Sequence, residues 1–320
     1  MAGGPCRIGG AESREPHKGR LRSNEPGTEK LSFRRSTRDG ELLELEDMQT
    51  DRAMVAGMRM RWEVAGPPDG QPIVLIHGFP TSPSVWRHVA PLLDGARCLA
   101  WEMVGYGDSI PEGHLLDLSV AAQAGYVLSW MKEVEVSRPL LVGHDIGGGV
   151  AQIVAAREKC AGLVLVDSVA YDNWPTPPIR SMRRMGGSFQ RLPNRPVRRL
   201  FGRLIRKGHD DRTMARESID VHWRPYGERD AAEVLSRQIR GFRSRDTLEV
   251  PGVLQRLRVP TWVVWGSKDP YLDRVTATRL AGDLGAPLRL VNGARHFLPE
   301  DHPDDVARAI SEAMTELRRA

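Results

Sequence analysis

The sequence predicts a doubly wound, mostly parallel α/β sheet with an inserted helical cap. Continuous apolar runs at 73–76, 98–101, 140–142, 163–166, 262–265 and 288–291 suit parallel strands buried on both faces. Helix-period stretches lie between these runs, and strands alternating with helices build a parallel sheet. The alternation stops after Val166 and resumes only at Val259, which marks an insertion.

Taken in chain order, residues 1 to about 45 are polar, charged and aperiodic, and are expected to form a disordered leader. Residues 54–64 read as an opening strand pair, with Met58, Met60 and Trp62 alternating. A Pro and Gly turn over 67–70 leads into the first buried strand, which ends at His77-Gly78. Helical patterns follow at 118–131 and 150–157. On the last helix Val306, Ile310, Met314 and Leu317 recur at i, i+4, i+8 and i+11, one apolar stripe. Residues 171–246 hold no strand pattern, many Arg and Pro, and helix-like pieces such as 230–242. The expected organisation is a leader (1–45), a core in two segments (46–170 and 247–320) and a helical cap (171–246).

Composition bounds the function classes. The 320 residues are 40% hydrophobic, ordinary for a globular chain. No apolar run approaches the roughly 20 residues of a membrane span. Residues 1–40 carry no signal-peptide apolar stretch, so the expected compartment is the cytoplasm. Cys6, Cys98 and Cys160 are odd in number and far apart, which gives no disulfide framework and no metal signature. The histidines show no metal-ligand spacing either. Neither a metal nor a cofactor is expected. The net charge of +5 is uneven, with +4 in residues 1–40 and +11 in residues 178–245. Solvated surface is the ordinary explanation of such charge, and an anionic partner is the alternative. No nucleic-acid-binding motif accompanies it. The expected partner is a small-molecule substrate, and the sequence says nothing about oligomeric state.

The chemistry is carried by one constellation. The apolar run at 140–142 leads directly into Gly143-His144-Asp145-Ile146-Gly147 and then a helix. Gly-x-nucleophile-x-Gly at a strand-to-helix turn is a nucleophile elbow, here with Asp in the central place. A serine there needs a base to remove its proton. Asp145 is already ionised near neutral pH and can attack directly. Upstream, His77-Gly78-Phe79-Pro80 follows a buried strand. Downstream, Asp269 ends one strand and His296 follows another, so the chain order is nucleophile, acid, base. Asp167, at the end of the strand after the elbow, is the alternative acid. His144 and His77 are expected to be structural, and Gly105–Ser109 to shape the floor of the site.

These motifs resemble the α/β-hydrolase superfamily, and within it the haloalkane dehalogenase and epoxide hydrolase branch, from about Val55 to the C-terminus. His77-Gly78-Phe79-Pro80-Thr81-Ser82 with Trp86-Arg87 looks like the dehalogenase oxyanion loop. His296-Phe297-Leu298-Pro299-Glu300-Asp301 looks like the dehalogenase tail, whereas Phe79 after His-Gly is more like epoxide hydrolases. The resemblance implies that Asp145 attacks an electrophilic carbon and forms an alkyl ester. His296, oriented by Asp269, then activates water against that ester. The backbone N–H groups of Phe79 and Ile146 would hold the oxyanion, at about 3 kcal/mol per donor.

Two family devices are absent. Dehalogenases usually carry a Trp after the nucleophile and often an Asn at the Phe79 position, and fluoroacetate-type enzymes carry Arg after the nucleophile. Ile146 and Phe79 have no side-chain donor. Epoxide hydrolases use two cap tyrosines, and the cap here holds only Tyr171 and Tyr226, neither in a matching context. Trp174 and Trp223 are candidate replacement donors. The expected function is therefore a hydrolase with an Asp nucleophile, haloalkane dehalogenase-like, acting on a small apolar electrophile. The alternatives are an epoxide hydrolase and a non-catalytic ligand-binding protein on the same scaffold.

Overall fold

The computed structural model describes Met1 and residues 34–36, 42–44 and 48–319. Two short strands, Arg34–Ser36 and Leu42–Glu44, pair antiparallel. The remainder of the stretch read as a leader lies outside the described residues, Met1 apart.

The eight-stranded sheet comprises β1 (Gln49–Val55), β2 (Met58–Ala65), β3 (Gln71–Ile76), β4 (Ala96–Trp101), β5 (Leu140–Asp145), β6 (Gly162–Ser168), β7 (Thr261–Gly266) and β8 (Leu288–Val291). Its order is β8-β7-β6-β5-β3-β4-β2-β1. The pairs from β4 through β3 and β5 to β8 are parallel, while β1, β2 and β4 pair antiparallel. Every apolar run named above became a strand. β1 begins at Gln49, earlier than the apolar alternation at 54–64 suggested, because the half-exposed pairing of Gln49 with Val64 needs no apolar signal on its outer face.

Helices cover both faces. They are α1 (Val120–Glu133), α2 (Ile146–Arg157), α3 (Pro177–Met185), α4 (Gly187–Gln190), α5 (Asn194–Gly208), α6 (Arg212–Gly227), α7 (Ala231–Arg240), α8 (Val250–Leu257), α9 (Arg274–Leu284), α10 (Leu298–Asp301) and α11 (Pro303–Arg319). Alternate strand residues feed two cores. Val74 and Ile76 join the cluster under α1, α2 and α9. Ile73 and Leu75 join the one that receives Val306, Ile310 and Met314 of α11. That two-sided burial is why the strands read as unbroken apolar runs. The stretch 171–246 carries α3 to α7 and no strand. Among the described residues no helix is long and apolar enough to cross a membrane.

Candidate active site

Asp145 closes β5 with φ 52° and ψ −124°, a left-handed conformation that a side chain rarely adopts. Such a turn requires close backbone approach on both sides. A Cβ on Gly143 would sit 2.4 Å from the Gly147 carbonyl oxygen, and one on Gly147 would sit 2.3 Å from that of His77. The two glycines are thus the condition for the turn, and α2 starts immediately at Ile146. The sequence placed that helix four residues later because Ile146 and the three glycines after it carry no helical periodicity.

The loop after β3 faces this turn. The Phe79 N–H donates to Asp145 Oδ2 at 2.9 Å, and the Ile146 N–H donates to the same carboxyl group. His77 holds the loop in place. Its Nδ1 donates to the Gly78 carbonyl at 2.9 Å and its Nε2 accepts from the Met103 N–H at 3.1 Å. Burial depresses its pKa to about 3, so it stays neutral.

The other two residues arrive from the far end of the sheet. His296 Nδ1 donates to Asp269 Oδ2 at 2.8 Å. Asp269 Oδ1 accepts from the Tyr271 and Leu272 N–H groups at 2.7 and 3.1 Å. The His296 loop is itself moored to the cap, for the Gly208 carbonyl at the end of α5 accepts from both His296 N and Phe297 N. His144 lies beneath, fully buried, and its Nε2 donates to the His296 carbonyl at 2.9 Å, a structural role. Asp167 makes no hydrogen bond to His296. Its Oδ1 accepts from the Gly266 N–H at 2.8 Å.

Burial is the largest influence on both Asp145 and His296. It pushes the Asp145 carboxyl up, while His296 and the Phe79 and Ile146 N–H groups pull it back and the Asp269 charge adds to the rise. Burial also disfavours a charged His296, but the Asp269 and Asp145 carboxyls outweigh it and leave the imidazole pKa raised.

Asp145 and His296 open into one cavity, whose empty space is about 500 Å³ with the open solvent at its mouth included. Its walls are almost wholly apolar, including Phe79, Ile179, Ile205 and Phe242. Its aromatic donors are committed elsewhere. The Trp174 indole N–H donates to Thr247 Oγ1 at 2.7 Å, and the Tyr271 hydroxyl donates to the Leu204 carbonyl at 2.5 Å. Trp223 is not on the cavity wall and packs on Phe201 and Tyr226. The Tyr171 hydroxyl bonds Asp283 and the Tyr226 hydroxyl bonds Gln238. The substitute donors sought in the cap are therefore not offered by these residues.

The turn at Gly105–Ser109 also departs from expectation, because none of its residues lines the cavity. Ser109 is tied to Glu102 and the Gly105 carbonyl to Gln238 of α7, so the turn supports the cap from below. Thr176, Leu204, Ile205, Tyr271 and Phe242 line the cavity and had no sequence signal, since a cavity wall is assembled from segments with no common spacing.

The loop and tail motifs meet in a buried polar cluster. Arg87 pairs with Glu300, and also with Glu217 of α6 at 2.8 Å. Glu300 further accepts from Ser218 at 2.8 Å. His209 Nδ1 lies 2.7 Å from Asp301. The loop after β3, the helices of 171–246 and the His296 loop are thereby cross-braced. Among the described residues one group, His144, Asp167 and His296, brings metal-ligand atom types within 4.8 Å. His296 Nδ1 is bound to Asp269 and His144 Nε2 to a carbonyl, so two of the four ring nitrogens are already committed.

Comparison with known proteins agrees with this architecture. The profile described as "Alpha/beta hydrolase family" matches residues 73–309. Epoxide hydrolase A of Mycobacterium tuberculosis is 26% identical over 310 residues, which is 82% of this chain and 95% of that protein. A haloalkane dehalogenase of Mycobacterium marinum is 28% identical over 274 residues, 79% of this chain and 88% of that one. Among solved structures, an alpha/beta hydrolase fold protein from Burkholderia ambifaria superposes with a TM-score of 0.73 at 25% identity, over 85% of this chain and 99% of its own. A haloalkane dehalogenase from Bradyrhizobium elkani does so with 0.75 at 20% identity, over 85% and 99%, a likeness of fold alone.

Proposed function

Since the chain belongs to the alpha/beta hydrolase family, in its dehalogenase- and epoxide hydrolase-like branch, we propose that it hydrolyses a small apolar electrophile through an ester on Asp145. One Asp145 oxygen, Oδ2, accepts from the Phe79 N–H, and the carboxyl group also accepts from the Ile146 N–H. The other attacks an sp3 carbon, and the leaving group departs with the bonding pair. His296 Nε2 then removes a proton from water, whose oxygen adds to the ester carbonyl carbon. The negative charge grows on the ester carbonyl oxygen, where the Phe79 and Ile146 N–H groups stabilise it. Collapse breaks the bond to the alkyl oxygen, which takes the proton from the His296 imidazolium and leaves as the alcohol, and loss of the carboxyl proton to solvent restores the carboxylate. Asp269 supports the imidazolium between these steps.

The observation that carries the choice of leaving group is the commitment of the donors. An epoxide oxygen must gain a proton as the ring opens. The Tyr171 and Tyr226 hydroxyls are bonded to Asp283 and Gln238, off the cavity. A halide leaves as a stable anion and needs no proton. The haloalkane dehalogenase-like reading is therefore favoured over the epoxide hydrolase-like one, and a non-catalytic ligand-binding role stands as the remaining alternative. Screening purified protein against short haloalkanes and epoxides, with halide release and diol formation read in parallel, tests the choice. Halide release without diol is the expected result. Diol alone reverses the choice of leaving group, and stabilisation by ligands without either product points to the binding role.

Departing halide still gains from a hydrogen bond. Thr176 sits on the cavity wall at the N-terminal end of α3, and its hydroxyl does not cap that helix. Thr176→Val, which keeps the shape, is expected to slow the alkylation step by roughly tenfold, the worth of one hydrogen bond. Ester hydrolysis should stay unchanged. Pre-steady-state halide release separates the two steps, and equal slowing of both would reject Thr176 as the donor.

A further inference from the structure

Asp167 is wholly buried, yet it takes no direct part in the reaction above. It lies at the end of β6 with φ 40°, an uncommon backbone for a residue with a side chain. Such a conformation is strained and persists where the surroundings hold it. The backbone turn carries its carboxyl group into contact with that of Asp269.

The surrounding hydrogen bonds cannot satisfy two carboxylates. Asp269 already accepts three, from His296 Nδ1 and from the N–H groups of Tyr271 and Leu272. Asp167 accepts one, from the Gly266 N–H. Its second oxygen, Oδ2, is buried with no donor among the described residues. The groups that face it offer no proton. His144 has spent its Nε2–H on the His296 carbonyl, so its Nδ1 is a bare lone pair. His296 has spent its Nδ1–H on Asp269. Asp145 and Asp269 are acceptors. An orphaned buried carboxylate oxygen beside a second carboxylate is a costly arrangement unless one of the two holds a proton.

We propose that Asp167 is a neutral carboxylic acid whose O–H donates to the Asp269 carboxylate, which makes it a positioning residue for the partner of His296. The proton belongs on Asp167 because Asp269 has three donors to satisfy and Asp167 has one. Burial first, and the Asp269 charge second, push the Asp167 carboxyl well above the usual carboxylate range, in keeping with the geometry. The O–H is a fourth hydrogen bond on Asp269. It restrains that carboxylate against rotation and draws off part of its charge. The sequence offered Asp167 as an alternative acid, and the structure assigns it the opposite protonation state.

This inference rests on Asp269 being the partner of His296, and its first test needs no substrate. Neutron diffraction from deuterium-exchanged wild-type crystals at neutral pH should find a deuteron between Asp167 and Asp269, bonded to Asp167. Two bare carboxylates, or a deuteron bonded to Asp269, would overturn the proposal whatever the enzyme turns over. The second test is kinetic. Asp167→Asn keeps a donor to Asp269, and it should hold turnover within about threefold with the acid limb of the pH–rate profile unmoved. If Asp167 were instead ionised, the variant would remove a negative charge beside His296 and shift that limb to lower pH. Such a shift also overturns the proposal. A chain that turns over nothing but shows the deuteron would refute the catalytic reading and leave the proton assignment standing.

Discussion

His296→Gln, incubated with a reactive alkyl halide, should accumulate a covalent adduct on the peptide that carries Asp145. The two steps have different requirements. Alkylation needs an ionised carboxylate and a reachable carbon, and both exist without the imidazole. Hydrolysis needs a base, and removing it should slow ester breakdown by about a hundred- to ten-thousandfold. Intact-mass and peptide mass spectrometry read the adduct, and Asp145→Asn should abolish it. The adduct mass also separates the leaving groups, since a halide substrate leaves only its alkyl group while an epoxide leaves its whole mass. Turnover of a carboxylic ester by the wild type, with no labelling of the variant by either class, would end the Asp-nucleophile reading.

Asp269→Asn carries the second large effect. Asp269 accepts the Nδ1–H of His296 at 2.8 Å, which leaves Nε2 with the lone pair that the proposed mechanism uses to take a proton from water. An asparagine can present its N–H2 to that nitrogen and reverse the tautomer, so turnover should fall by about a thousandfold or more. The pH dependence has a definite sign. His296 must be neutral to act as a base, and its raised pKa means that activity is lost as pH falls through that raised value. Removing the Asp269 charge takes away the main support of the imidazolium, so the acid limb of the residual activity should move to lower pH. An unmoved limb, or a loss smaller than that caused by Asp167→Asn, would mean that Asp269 is not the acid.

Much of this was legible because the signals are local. A strand buried on both faces must be apolar throughout, so β3 to β8 announce themselves as runs. A strained turn between strand and helix tolerates only glycine on either side, so Gly143 and Gly147 point to Asp145 without any knowledge of the rest. Asp269 and His296 follow from their places after β7 and β8. The start of α2 was missed, because its first turn is glycine and has no periodic side chains.

What one chain of residues could not express is which donors are free. Whether Trp174, Tyr171 or Tyr226 can help a leaving group depends on what each bonds, and those partners, Thr247, Asp283 and Gln238, lie 73, 112 and 12 residues away. Their spacing follows no rule because the cap helices meet the core wherever packing allows. The same holds for Asp167. In sequence it is one more Asp at a strand end, the alternative to Asp269. Only the fold decides between them, by aiming one at the imidazole and burying the other against a carboxylate with no donor to spare. Periodicity and turn chemistry are properties of neighbours along the chain and can be read there. Hydrogen-bond commitment in a dry interior is a property of neighbours in space.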